Sequence, residues 1–185
     1  MACLRDRGYA RTTARDIAAA SGSNLGSIGY HFGSKEALLN EAIRDGFAEW
    51  TTQLAGIVFA EPGATPIERA RTSWIALTES FAEHRPLIVA FVEALAQTVR
   101  SDELRRQLAD IYESSRAAVA RLVEASLGET DVADRDIRAV ASFMIAVCDG
   151  LMLQWLLDPE RAPSGAQITA ALETALPVAL AQQPV

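Results

Sequence analysis

The 185-residue chain is poor in the residues that build disulfide frameworks, metal sites and most catalytic centres. Its two cysteines, Cys3 and Cys148, lie far apart and form no CxxC pair, and its two histidines are His31 and His84. This argues against a disulfide framework and supplies no set of zinc ligands. The sequence also has no Ser/His/Asp arrangement, no glycine-rich phosphate loop followed by lysine and no HExxH motif. We therefore expect neither an enzyme nor a bound cofactor or metal.

Long apolar runs are also missing. No uninterrupted apolar stretch reaches about 18 residues, the length that a membrane-spanning helix needs. The first seven residues mix apolar and charged side chains and contain no apolar signal-peptide core. With so few cysteines, this pattern predicts a soluble cytoplasmic protein that has no membrane partner.

Positive charge is scarce, and it is unevenly placed. The formal net charge is −7, which argues against a general nucleic-acid binder. Residues 1–35 nevertheless carry a net charge of +3, so the remainder carries −10. A basic beginning on an acidic chain permits local contact with phosphates while the rest resists unspecific binding.

What is abundant is helix-forming sequence. Half of the residues are apolar, alanine and leucine are frequent, and β-branched runs and Asn-Gly turns are rare. We predict an all-α fold of about nine helices. A short opening helix closes at Gly8 and Tyr9, and the others cover residues 14–21, 24–32, 34–58, 66–84, 87–99, 102–127, 134–157 and 165–176, with a break at residues 85–86.

The second and third helices are short and are joined by a glycine-containing turn, which is the helix-turn-helix arrangement. On a helical wheel, one arc of about 100° in the third helix is apolar, the width of a core-facing stripe. That arc holds Leu25, Ile28, Gly29 and Phe32, and the opposite side holds Asn24, Gly26, Ser27, Tyr30 and His31. The second side offers hydrogen-bonding groups with almost no formal charge, which suits contacts to base edges and phosphates.

These segments closely resemble the DNA-binding signature of the TetR family of transcriptional regulators. The resemblance covers roughly residues 8–43 and rests on TTARDIA at 12–18, SG at 21–22 and YHFGSKEALL at 30–39. It implies phosphate contacts from Thr13, Tyr30, His31 and Lys35, and base reading by Asn24, Leu25 and Ser27. It also implies an all-α fold that dimerises through its last two helices and encloses an effector cavity.

The chain departs from this signature in two places. Many family members carry tyrosine at the position of Gly29, so one phosphate contact is absent or shifts to Tyr30. The first helix is also shorter than in most members, and we expect the natural start to lie upstream of Met1. We divide the chain into a DNA-binding helix-turn-helix head, residues 1–45, and a ligand-binding and dimerisation body, residues 46–185.

In the body, the helix over 134–157 is apolar around most of its circumference, which predicts burial by a partner subunit. With the last helix it is expected to form a four-helix bundle across a two-fold axis. The candidate dimer residues are Phe143, Asp149, Met152, Leu153, Leu156, Ile168, Leu172 and Leu176. Candidate pocket residues are polar side chains inside apolar runs and their aromatic or sulfur-containing neighbours. They are Trp74, Thr78, Phe81, Phe91, Glu93, Gln97, Tyr112, Met144 and Cys148.

The sequence therefore predicts a homodimeric repressor that is released from a pseudo-palindromic double-stranded DNA operator by a small-molecule effector of unknown identity. The alternative is a helical small-molecule-binding dimer whose DNA binding is weakened or lost.

Overall fold

The computed structural model describes residues 2–129 and 131–181. Within these ranges the chain forms nine α-helices and no strand. They are α1 (Ala2–Arg11), α2 (Ala14–Ser21), α3 (Leu25–Phe32), α4 (Lys35–Val58), α5 (Pro66–Glu79), α6 (Phe81–Thr98), α7 (Asp102–Leu127), α8 (Asp134–Leu157) and α9 (Gly165–Ala181). The prediction of an all-α fold is confirmed.

Two helices begin with the same capping device. Thr13 caps α2 and Thr65 caps α5, and each hydroxyl accepts the backbone N–H of the acidic residue three positions later. The carboxylates of those acidic residues, Asp16 and Glu68, in turn accept hydrogen bonds from the backbone N–H groups of Thr13 and Thr65 at 2.9 and 2.7 Å. Pro66 then occupies the first turn of α5, where its missing N–H costs nothing.

The opening helix is interrupted at Gly8, as expected, but the helical span does not end at Tyr9. Gly8 has non-helical backbone angles (φ 75°, ψ 173°), and the chain kinks there and continues helically to Arg11. Only glycine adopts this conformation without strain. The buried Thr12 hydroxyl lies within hydrogen-bond distance of the carbonyl oxygens of Gly8, at 2.6 Å, and Cys3, at 3.2 Å. Thr12 therefore contacts the chain on both sides of the kink.

The boundary between α5 and α6 also differs from the prediction. We expected the fifth helix to reach residue 84 and to break before Pro86, but α5 ends at Glu79 and Pro86 lies inside α6. A proline acts one turn before itself, because its ring and its missing N–H both disturb the carbonyl of the residue four positions earlier, here Ala82. The observed break lies at Ser80, two residues before Ala82, and Pro86 falls in the second turn of α6.

The chain packs as two compact units. The first comprises Met1–Thr51 and Glu83–Ala120, and the second comprises Thr52–Ala82 and Arg121–Val185. These units are defined by packing alone. The functional division into head and body stays a prediction.

The first unit is organised around a chain of aromatic rings. Phe47 lies 6.0 Å from Trp50 in a stacked arrangement and 5.2 Å from Phe91 in an edge-to-face one, centroid to centroid. Phe91 contacts Tyr112 at 5.7 Å. His84 stacks on Trp50 at 4.5 Å with only 9° between the ring planes, so this histidine has a packing role.

In the second unit, the start of α9 packs closely on α5. The Gly165 N–H donates to the Thr78 hydroxyl at 3.0 Å. A Cβ atom at Gly165 would lie 2.2 Å from the Trp74 carbonyl oxygen, so only glycine permits this approach. Phe81 is 1% exposed and contacts the ring of Trp155 at 5.8 Å.

Candidate nucleic-acid interface

The polar edge of α3 is open to solvent. Ser27, Tyr30 and His31 are all exposed, and the Tyr30 side chain is 86% exposed. The rings of Tyr30 and His31 meet edge to face with centroids 5.0 Å apart, which orders two donors side by side at the end of the helix. This edge is therefore available for contacts with another molecule.

The apolar edge of α3 is narrower than predicted. Ile28 is 5% exposed, but Leu25 and Phe32 are 46% and 41% exposed, and a Cβ atom at Gly29 would meet open space. A two-turn helix that packs on one neighbour buries the middle of its stripe, while the residues at both ends extend past that neighbour. The prediction that all four residues face the core is therefore wrong for three of them.

Asn24 starts α3 as its N-cap. Its side-chain oxygen accepts the Gly26 N–H at 2.7 Å, so the amide NH₂ group is the part of Asn24 that base reading would use. A Cβ atom at Gly26 would lie 3.3 Å from that same oxygen, which shows that glycine here also makes room for the cap.

Thr13 is exposed, but its hydroxyl is already engaged. It donates to Asp16 Oδ2 at 2.7 Å and accepts the Asp16 N–H at 3.2 Å. The hydrogen bonds that the Asp16 carboxylate accepts from the Thr13 hydroxyl and from the Thr13 backbone N–H, with the nearby Arg7 guanidinium at 3.2 Å, lower the pKa of Asp16 below its ordinary value of 3.8. A phosphate contact from Thr13 would have to be made beside this ionised capping box.

Lys35 is the first residue of α4. The Ser34 hydroxyl caps the helix by accepting the Ala37 N–H at 3.0 Å. The Lys35 side chain is half-buried and its Nζ atom lies 3.2 Å from Glu36 Oε1. The ammonium group is therefore held at the start of α4, directly after the exposed edge of α3.

Sequence reasoning missed a polar network that joins four helices of the first unit. The Glu93 carboxylate of α6 accepts the backbone N–H of Tyr9 at 2.6 Å and of Ala10 at 3.2 Å. The Tyr9 hydroxyl donates to Asn40 Oδ1 at 2.9 Å, and Asn40 Nδ2 donates to Gln107 Oε1 at 2.7 Å. Burial is the main cause that raises the Tyr9 pKa to about 12. The signal in the sequence is Glu93, a carboxylate inside the apolar run of α6, which the sequence analysis assigns to a ligand pocket.

The candidate pocket residues divide between the two units. The first unit contains Phe91, Glu93, Gln97 and Tyr112, and the second contains Trp74, Thr78, Phe81, Met144 and Cys148. Phe91 and Tyr112 are in ring contact, and the Thr78 hydroxyl bonds to the Trp74 carbonyl at 3.1 Å. Thr78 and Glu93 thus already have protein partners. Burial, with the negative charge of Asp149, raises the pKa of the Cys148 thiol to about 12.

The α8 helix has one covered and one open face. Ile137, Ala141, Leu151 and Met152 are buried within the chain, so Met152 contributes to the core of its own unit rather than to an open surface. The candidate dimer residues Phe143 and Leu153 are 52% and 47% exposed. Asp149 and Leu156 are half-buried.

On α9, the candidate residues Ile168 and Leu172 are half-buried, and this helix packs on α5. An ion pair between Arg71 and Glu173 at 2.7 Å joins the two helices. The side chain of Leu176 lies outside the described part of the chain.

Two properties of the described residues bear on function. Among the described residues, no group of three or more His, Cys, Asp or Glu side chains is placed to hold a metal ion. One helix, Asp134–Leu157, is long and apolar enough to cross a membrane by length and composition alone. The mixed burial of its two faces, described above, is also what a helix at a subunit interface shows.

Comparison with known proteins gives matches along most of the chain. A family model described as bacterial regulatory proteins of the tetR family matches residues 1–42. A second, described as the C-terminal part of BetI-type transcriptional repressors, matches residues 66–180.

Individual relatives agree with these models. The chain is 35% identical to the HTH-type transcriptional repressor KstR2 of Mycobacterium tuberculosis over 91 residues, 49% of this chain and 44% of that protein. It is 27% identical to the repressor DhaR of Mycobacterium sp. over 175 residues, 93% and 86% of the two chains. The fold matches a TetR-family regulator from Rhodococcus sp. with a TM-score of 0.66 at 22% identity, covering 95% and 91%. The chain belongs to the TetR family of bacterial regulatory proteins.

Proposed function

We propose that this protein is a DNA-binding transcriptional repressor that acts as a homodimer in the cytoplasm and leaves its operator when a small molecule binds the body. The observation that carries the proposal is the exposed edge of α3, where Ser27, Tyr30 and His31 are all accessible. Exposed arginines at positions 5, 7, 11 and 15 add positive charge to the same head. Direct readout needs such an uncharged polar edge, and phosphate binding needs the surrounding cations.

The open face of α8 supports the dimer. Ala139, Phe143, Ala146, Gly150, Leu153 and Leu157 follow one another at alternating spacings of four and three residues, which we call the α8 seam. This spacing is that of the a and d positions of helices that pair in a coiled-coil manner. Phe143, Leu153 and Leu157 are 52%, 47% and 87% exposed, and a Cβ atom at Gly150 would meet open space. A second copy of the chain would cover this seam.

The effector part of the proposal rests on the relatives and on composition. The C-terminal model that matches residues 66–180 is that of a transcriptional repressor, and both relatives named above are HTH-type transcriptional repressors. Phe91 and Tyr112, whose rings are in contact within the first unit, would provide apolar walls. An effector that changes the separation of two heads removes their simultaneous fit to successive major grooves. By linkage, DNA must then weaken effector binding by the same factor.

The test begins with selection of duplexes from a random double-stranded DNA library by the full chain. We expect an enriched pseudo-palindromic site whose affinity falls steeply with salt concentration. Footprinting on the selected duplex then locates the contacts. Failure to enrich any duplex, or binding that is indifferent to salt, would instead support the alternative, a small-molecule-binding dimer that has lost DNA binding.

Substitutions separate the two kinds of contact. Lys35→Ala and His31→Ala should weaken binding to all duplexes, and Lys35→Ala should reduce the salt slope by about 2, because the dimer loses one lysine from each head. Ser27→Ala should instead change which bases are preferred at one position. Arg44→Ala is the matched control, because it removes one cation from α4 more than two turns beyond Lys35. An equal loss for Arg44→Ala and Lys35→Ala would contradict the assignment.

A further inference from the structure

A carboxylate from α6 binds the last turn of α1 at Tyr9 and Ala10, where the chain leads into α2, and we call this turn the α1–α2 corner. Glu93 Oε2 lies 2.6 Å from the Tyr9 nitrogen and 3.2 Å from the Ala10 nitrogen. Hydrogen bonds to an ionised acceptor are stronger than those between neutral groups. This contact joins residues more than eighty positions apart in the chain and lies wholly within the first unit.

The corner is shaped to receive that carboxylate. In an unbroken helix the N–H groups of Tyr9 and Ala10 would bond to the carbonyls four residues earlier. The kink at Gly8 frees them, so they form the start of a new helical turn, which favours a negative partner. A Cβ atom at Gly8 would lie 3.0 and 3.1 Å from the two Glu93 oxygens, so the carboxylate fills the space that the missing side chain leaves.

The same tyrosine is fixed at its other end. Tyr9 and Asn40 are 2% and 3% exposed, and the Tyr9 hydroxyl donates to the Asn40 side chain, which in turn donates to Gln107 on α7. Buried polar groups of this kind are costly to leave unpaired, so the network has one favoured arrangement. The orientation of α1, and of α2 and α3 that follow it, is thereby tied to α6 and α7.

We infer that Glu93 is a positioning residue that clamps the α1–α2 corner to α6 and so sets the direction in which α3 meets DNA. The inference rests on the proposed function, because it concerns how that same head is aimed. A negative charge near a DNA-binding head is electrostatically unfavourable for DNA binding. Removal of a merely incidental carboxylate would therefore tighten binding, whereas removal of a clamp weakens it.

The test uses the full chain and the duplex selected from the random library. Glu93→Ala should weaken binding about tenfold, which corresponds to roughly 1.4 kcal/mol. Glu93→Gln keeps one acceptor oxygen and should lose less. Glu83→Ala is the matched control, because it removes the same charge from an exposed position on the same helix and should leave affinity unchanged or slightly higher.

A second readout separates positioning from loss of folded protein. Two base pairs inserted at the centre of the selected duplex move the half-sites apart by about 7 Å and rotate them. The ratio of affinities for the original and lengthened duplexes does not depend on the folded fraction, because both affinities scale with it. We expect this ratio to be lower for Glu93→Ala than for the wild-type chain. If Glu93→Ala does not fold, the same measurement is made on Glu93→Gln, for which we also expect a lower ratio.

The outcomes are distinct. An unchanged affinity and an unchanged ratio in Glu93→Ala would overturn the inference while leaving the proposed function standing. The same holds if Glu83→Ala and Glu93→Ala lose affinity equally. If the wild-type chain selects no duplex, the proposed function itself fails, and the clamp inference fails with it.

Discussion

At the scale of single residues, the side chains of the head have to serve two purposes at once. Thr13 caps α2 and Asn24 caps α3, although both are also candidate DNA contacts. In each case the oxygen is used for the cap. Any contact with DNA would therefore rely on the remaining groups, the Asn24 amide NH₂ and the exposed surface beside Thr13. If the proposed contacts are made, local folding and DNA recognition are coupled at these two positions.

The paired capping boxes allow that coupling to be measured. Thr13→Ala and Thr65→Ala each remove the hydroxyl of the same kind of box, so each should lower the free energy of unfolding by about 1 kcal/mol. Thermal or urea unfolding measures this loss. Only Thr13→Ala should also weaken binding to the selected duplex, because Thr65 caps a helix in the other unit. Equal DNA affinity in the two variants would remove Thr13 from the interface.

At the scale of helices, much of the fold could be predicted because the signals are local. The bounds of α2, α4, α7 and α8 follow from caps, glycines and apolar spacing close to each helix end. The α5–α6 break was misplaced, since proline shows its effect a turn away from its own position. The role of Glu93 could not be predicted, because its partners Tyr9 and Ala10 are distant in sequence and are backbone groups freed by a kink.

Two glycines of the head should respond in opposite ways to alanine. Both have open space where a Cβ atom would lie, but Gly22 has φ +63° whereas Gly29 lies inside α3 without a positive φ. Gly29→Ala should stabilise the protein by roughly 0.5–1 kcal/mol, because glycine is a poor helix former. Gly22→Ala should destabilise it by about 1 kcal/mol, since the left-handed conformation strains a side chain. Urea unfolding of both variants measures these changes in the free energy of unfolding. If both variants are stabilised, or both are destabilised, the argument from backbone conformation is contradicted.

The same position bears on affinity for DNA. Gly29→Tyr adds a phenol hydroxyl on the exposed surface of α3, at a position where a Cβ atom would meet open space and where many family members carry tyrosine. We expect tighter binding to all duplexes, because a phosphate contact carries no sequence information. Gly29→Phe is the control that adds the ring without the donor. If both variants bind equally tightly, the gain comes from packing and not from a phosphate contact.

At the scale of the whole molecule, the proposed DNA binding requires two heads in one dimer. One head offers few contacts: a short exposed edge on α3, Lys35 and the nearby arginines. Two heads engaged together add their binding free energies, which makes the dimer a condition for useful affinity. The exposed α8 seam is the surface on which that condition depends, and it is separate in sequence from every candidate DNA contact.

This separation makes the seam testable without touching the head. Leu153→Glu places a charge in the middle of the α8 seam, and by two-fold symmetry it does so twice in each dimer. Each lost leucine contact removes about 1.5–3 kcal/mol, so dimer affinity should fall at least about a hundredfold and a monomer should appear in sedimentation. Val99→Glu, at an apolar position that is 87% exposed outside the seam, should leave the dimer intact.

The monomeric variant should keep its helical content but lose most of its affinity for the two-half-site duplex, and its salt slope should fall to about half because only one set of phosphates is contacted. A Leu153→Glu protein that stays dimeric would show that the pairing surface lies elsewhere, whereas a monomer that binds the full duplex as tightly as wild type would show that one head is enough.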